Sequence, residues 1–176
     1  MKIDDLIAID IHVHAEVSCR CAPDAFGREF DEAAEKYFKF THRPTIPETI
    51  ARYREKRIGL VMFTVDAEAN LGRRRIPNEE IAEAALENRD MMLAFASIDP
   101  HKGKMGVREA RRLIEDYQVA GFKFHPTVQG FYPNDKLAYP LYEAIAEAGL
   151  PAIFHSGHSG IGTGMPGGGG LRLKYS

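Results

Sequence analysis

Cysteine is scarce in this chain: Cys19 and Cys21 are the only two among 176 residues, and one residue separates them. Thiols so close together cannot staple distant parts of a fold, which excludes a disulfide framework and points to a reducing, intracellular setting. An excess of one charge is lacking too. Lys and Arg number 23 against 25 Asp and Glu, a formal net charge of -2. That balance removes the electrostatic basis for nucleic acid or an anionic membrane as a partner. The local exception, Arg73-Arg74-Arg75, reads as a solvated loop rather than a phosphate site. No apolar run approaches the length that spans a bilayer. Residues 1–11 are too short and, with Asp4, Asp5 and Asp10, too acidic for a secretory signal. The expectation is a cytoplasmic protein of ordinary composition, 44% hydrophobic and 27% charged, forming one domain over residues 1–176.

What the chain does contain is alternation. Residues 6–14 (LIAIDIHVH) read as a first strand, with Ile7, Ile9, Ile11 and Val13 on one face. Ala8, Asp10, His12 and His14 fall on the other. Residues 15–43 make a long connection, with a helix expected around 30–38. Thr45-Ile46-Pro47-Glu48 then opens a helix: Thr45 caps, Pro47 suits the first turn and Glu48 stands three residues after the cap. Further strands are expected at 60–65, 92–98, 121–125 and 151–155, and helices at 78–88, 105–117 and 139–148. Such alternation predicts a parallel sheet with helical crossovers. An open doubly wound sheet and a (β/α)8 TIM barrel both satisfy it. Length favours the open sheet, since a full barrel takes about 250 residues. The polar residues favour the barrel, because histidines sit at the C-terminal ends of the first and fifth strands, where a barrel gathers its active site.

His12 and His14 stand one residue apart on a strand, so both imidazoles project into the same space. Nothing apolar on that face needs two histidines, and an unpaired buried imidazole costs stability. The pattern points to metal ligation; a hydrogen-bonded or solvent-exposed pair is the competing account. His155 strengthens the first account, because it ends the apolar strand directly before Ser156-Gly157. Three histidines leave a coordination position open for water or a substrate oxygen. Lys123 and His125 alternate with Phe122 and Phe124, which puts the first two inside the barrel and the phenylalanines against the helices. His125 is placed to bind a substrate carboxylate or oxyanion, or else is a loop residue held by Pro126. Lys123 either packs against Asp10 in the lower barrel or reaches the site. His158, His101 and Asp99 fall in loops at the same end, and Cys19 and Cys21 follow the histidine pair closely enough to approach it.

Three segments occur in a telling order: Asp10-Ile11-His12-Val13-His14, Phe122-Lys123-Phe124-His125-Pro126 and Ile153-Phe154-His155-Ser156-Gly157-His158. They resemble the amidohydrolase superfamily, in the branch that holds aminocarboxymuconate-semialdehyde decarboxylase and γ-resorcylate decarboxylase. The resemblance implies a TIM barrel of the metal-dependent hydrolase type. It also implies one divalent metal, most often Zn2+, on His12, His14 and His155. Some branches carbamylate a fourth-strand lysine to bridge two metals; a mononuclear site is the expectation for Lys123 here. The family pattern continues through strands six to eight with a further histidine and an aspartate, so the chain is expected to be the N-terminal part of such a barrel, with about five β/α units.

His125 and His155 are thus the candidate catalytic residues, and Lys123, His125 and His158 the candidates for binding a small substrate that carries a carboxylate. The first functional expectation is hydrolysis of a C–N or C–O bond by metal-activated water. The alternative is metal-dependent, non-oxidative decarboxylation of an aromatic or muconate-like acid. A third reading, from the two sheet edges such a fragment leaves open, is a catalytically incomplete fragment that works only in association, as a homo-oligomer or within a full-length enzyme.

Overall fold

Every strand expected from the sequence forms, and all five lie parallel. The structure, a computed structural model, describes residues 1–22, 27–39, 42–157, 159–166 and 168. The strands are β1 (Ala8–His14), β2 (Ile58–Phe63), β3 (Met92–Ala96), β4 (Gly121–Phe124) and β5 (Ala152–Phe154). The helices are α1 (Arg28–Phe38), α2 (Ile46–Glu55), α3 (Glu68–Leu71), α4 (Asn78–Glu87), α5 (Gly103–Glu115), α6 (Pro126–Gln129) and α7 (Tyr139–Glu147). The short α3 and α6 escaped the sequence reading, since one helical turn leaves no periodicity to detect.

Strand order decides between the two architectures. Each strand pairs in parallel with its sequence neighbour, in the order β1-β2-β3-β4-β5. A doubly wound sheet reverses its order at a switch point; this one never does. The sheet is a curled half-barrel, the partial (β/α) barrel expected.

Period-two alternation along the strands builds two apolar layers. Leu60 and Met62 of β2 and Phe122 and Phe124 of β4 join Ile50, Ile81, Leu113 and Leu141 of the helices in the main core. Val61, Phe63 and Phe95 point the other way and form a smaller inner cluster beside Ile153. Gly121 is required where β3 and β4 meet, because a Cβ there would come within 2.5 Å of the Phe95 ring. The capping box of α2 forms as expected: Thr45 N and Oγ1 each donate to Glu48 Oε2 at 2.8 Å, and Glu48 N donates back to Thr45 Oγ1. The helix it opens packs Ile46 and Ile50 into the core beneath β1 and β2.

Candidate functional site

The site begins with an irregularity in β1. Asp10 pairs with Leu60 and Val13 with Met62, so β1 takes three steps where β2 takes two. The extra residue is a bulge, and it resets which face the following side chains occupy. Asp10 therefore leaves the face of His12 and His14, correcting the simple alternation. Its Oδ2 accepts a hydrogen bond from Tyr53 of α2 at 2.7 Å on the helix side, and its Oδ1 accepts from the His12 amide at 2.9 Å. Val13 enters the main core, whereas Ile9 and Ile11 stay exposed. Lys123 accordingly has no Asp10 to pack against.

Beyond the bulge His12 and His14 share the inner face, with their Nε2 atoms 3.2 Å apart. Two nitrogens bound tetrahedrally to one zinc-like ion at about 2.0–2.1 Å stand about 3.3–3.4 Å apart, so the pair fits such an ion. Burial, together with the neighbouring Lys123 ammonium, lowers His12, and burial first of all takes His14 down to about 4. Both are held neutral, the form in which imidazole ligates a metal.

His155 arrives from the end of β5, where its amide donates to the Phe124 carbonyl at 2.9 Å. Its ring stacks on His125 with centroids 3.9 Å apart, and its centroid lies 6.4 Å from that of His12. His12, His14, His125 and His155 thus stand as one close pair beside one stacked pair. As these rings stand, no three His, Cys, Asp or Glu side chains among the described residues share reach of a single ion.

His125 is buried. Its amide donates to Gln129 Oε1 at 2.7 Å, and its Nε2 lies 3.4 Å from Ser159 Oγ. Burial takes it down to about 3. Lys123 is wholly buried, with Nζ 3.4 Å from His12 Nε2 and 5.0 Å from the centre of the Phe63 ring. Among the described residues no carboxylate offsets its charge, and desolvation pulls it down to about 8. Phe122 and Phe124 face the helices as expected.

Four of these residues, His12, His14, His125 and His155, open into one cavity of about 330 Å³. Phe30, Phe38 and Ile161 give it apolar walls, and Arg43, Arg73, Arg74 and Arg75 stand around it. Glu16, Asp31 and Glu35 line it as well, so apolar walls, arginines and carboxylates share a cavity of a size that takes a small molecule.

Comparison with known proteins follows the same line. The amidohydrolase family profile matches residues 9–176. The chain belongs to the amidohydrolase family. Among curated protein sequences, none matches it. Among solved structures it is similar to 5-carboxyvanillate decarboxylase from Novosphingobium aromaticivorans, determined with manganese and a nitrobenzoic acid. That likeness has a TM-score of 0.58 at 16% identity and covers 87% of this chain and 52% of that one. It is similar also to 2,6-dihydroxybenzoate decarboxylase from Rhizobium, with a TM-score of 0.56 at 14% identity, covering 86% and 50%. A 2,6-dihydroxybenzoate decarboxylase in complex with 2,6-dihydroxybenzoate gives a TM-score of 0.60 at 16% identity over 86% and 51%. The chain spans about half the length of these solved proteins.

In this amidohydrolase half-barrel the fold gathers His12, His14, Lys123, His125 and His155 at the C-terminal ends of the strands. His158 lies outside the described residues. Cys19 and Cys21 do not line the cavity; the Cys19 amide is instead tied to buried Glu80 at 2.8 Å. His101 pairs with Asp99 at 2.8 Å, also outside the cavity lining. The arginine run lies in a loop, as expected, with Arg74 exposed, and it also forms part of the cavity wall. Its basic character was visible in the sequence; its direction was not, because a loop has no period that fixes where side chains point.

Proposed function

We propose that the chain carries the metal-binding half of a lyase that removes carbon dioxide from a small aromatic acid. The single observation that carries this is the His12–His14 pair, 3.2 Å apart at Nε2, opening into a cavity with apolar walls and arginines around it. Solved structures similar to this amidohydrolase include decarboxylases of 5-carboxyvanillate and 2,6-dihydroxybenzoate, which favours this chemistry over the hydrolysis expected first.

His12 and His14 are the residues that would hold a divalent cation, Mn2+ or Zn2+, and His155 would join them only by turning its ring out of the stack on His125. When bound, that cation supplies Lewis-acid polarisation of a carboxylate or phenolate oxygen. Lys123 places positive charge beside His12 from inside the barrel, where low dielectric strengthens its pull on an anionic substrate. His125, kept neutral by burial, presents Nε2 toward the cavity and can exchange a hydrogen bond with substrate oxygen. Phe30 and Phe38 give the ring that is to lose its carboxylate an apolar surface to lie against.

The test is carbon dioxide release from 2,6-dihydroxybenzoate and 5-carboxyvanillate by the chain supplied with Mn2+ or Zn2+, beside metal content by elemental analysis. Release, with one metal per site that His14→Ala abolishes, is the expected result. Stoichiometric metal with hydrolysis of amides or esters, and no carbon dioxide from any acid, overturns the lyase reading. Absence of metal removes the whole proposal.

Self-association belongs to the same proposal. Among the described residues each of β1 and β5 pairs on one side only, and Ile7, Ile9, Ile11 and Phe154 stand exposed there, the arrangement that invites another strand. A homo-oligomer in sedimentation is expected; a sharp monomer at micromolar concentration contradicts it. Among the described residues no helix is long and apolar enough to cross a membrane. Free Cys19 and Cys21 accord with the proposed reducing, cytoplasmic setting.

A further inference from the structure

Arg43 and Arg73 converge on a single carboxylate supplied by α1. Asp31 Oδ2 lies 2.6 Å from Arg43 Nη1, and Asp31 Oδ1 lies 3.0 Å from Arg73 Nη2. All three side chains line the cavity that holds the histidines. Arg43 has a second ion-pair partner in Glu16 at 2.9 Å, whereas Asp31 is the ion-pair partner of Arg73 among the described residues. The stem of Arg73 runs over Gly27, where an added Cβ would meet its Nε at 3.0 Å. Glycine at the N-terminal end of α1 therefore leaves the passage this guanidinium occupies.

The hold on α1 is slight. None of its residues is buried, and the face it turns to the cavity consists of Phe30, Ala34 and Phe38 at intervals of four with Asp31 and Glu35 beside them. A partly exposed ion pair is worth little, and Arg73 meets Asp31 through Nη2 alone, whereas a guanidinium can donate to a ligand carboxylate through two nitrogens as a fork.

We propose that Arg73 is a specificity-determining residue that reads a carboxylate on the substrate, and that Asp31 is the chain's own stand-in for that group. A ligand carboxylate entering the cavity takes Arg73 from Asp31. Asp31 retains Arg43, so the exchange strands no charge. Aromatic acids are thereby admitted in preference to the same rings without a carboxylate. This rests on the cavity being the substrate site, as proposed above, and adds how the acid is recognised.

The experiment is calorimetric binding of 2,6-dihydroxybenzoate and of resorcinol, the same ring without the carboxylate, to the full chain with and without Mn2+. Asp31→Asn is expected to bind the acid about tenfold more tightly, and Arg73→Gln about tenfold more weakly, the worth of one charge-assisted hydrogen bond. Arg73→Lys, which keeps the charge and loses the fork, falls between. Resorcinol binding is expected to be unmoved by all three. Asp31→Asn that leaves acid binding unchanged or weaker overturns the proposal, as does a wild type without preference for the acid. Circular dichroism establishes that each variant folds. Because the Arg73 effect is expected without added metal, it separates from the lyase reading, which fails on metal content and carbon dioxide release.

Discussion

Arg73 and Arg75 are two residues apart on the loop between α3 and α4, line the same cavity, and have opposite surroundings. Arg75 is 15% exposed and enclosed by acid: Asp66 at 2.9 Å, Glu68 at 3.6 Å and Glu109 of α5. Asp66 is itself wholly buried and also takes Lys102 Nζ at 2.6 Å and the Asp99 amide at 3.0 Å. This cluster ties the loops after β2 and β3 to α5. Arg73 is 32% exposed and pairs with a carboxylate that it shares with Arg43. The difference teaches that an arginine near a site is available to a ligand only where the protein has not already committed it. Arg75 Nε and Asp66 Oδ1 are buried without a hydrogen-bond partner among the described residues, but the carboxylates around Arg75 leave its charge little to offer a ligand.

The comparison breaks most sharply at Asp66. Asp66→Asn leaves Arg75 and Lys102 with less compensation beneath the loops, and a loss of about 3 kcal/mol in urea unfolding is expected. A loss below about 1 kcal/mol would show that the cluster is solvated after all. Next, Arg75→Ala is expected to cost about 2 kcal/mol by leaving Asp66 to Lys102 alone and Glu109 without its arginine, against less than about 1 kcal/mol for Arg73→Ala. Equal costs would erase the distinction between the two arginines.

The smallest effect concerns Glu68. Burial pulls its carboxyl upward, but Lys102 and Arg75 outweigh that and hold it below its usual 4.5. A carboxyl depressed in the fold stabilises above its unfolded value and loses that contribution as pH falls through the folded one. Glu68→Gln should therefore be less stable than wild type near neutrality, with the gap closing below pH 4.5. A gap that persists to about pH 2 contradicts the ion-pair account.

Much of the fold was legible because its signals are local. The capping box at Thr45 and Glu48 and the alternating apolar runs report on neighbours within a turn or two, and all five strands follow from them. The spacing of His12 and His14 likewise placed both rings together, and the apolar run ending at His155 placed that residue at a strand's end. Asp10 was misread for a physical reason: a bulge is set by the register against β2, which a single strand cannot reveal. Lys123 was correctly turned inward, but its neighbour, His12 rather than Asp10, depended on that same bulge.

By itself the sequence determined a parallel α/β chain with histidines at two strand ends, since periodicity and spacing act through the backbone nearby. Only the tertiary structure decided that the strands run in sequential order, that the stacked pair of His125 and His155 stands beside the pair of His12 and His14, and which arginine is spent and which is shared. Those outcomes depend on neighbours that the fold brings together, such as His12 and His155, Arg73 and Asp31, or Arg75 and Glu109, where burial and charge matching, not local preference, choose the neighbour.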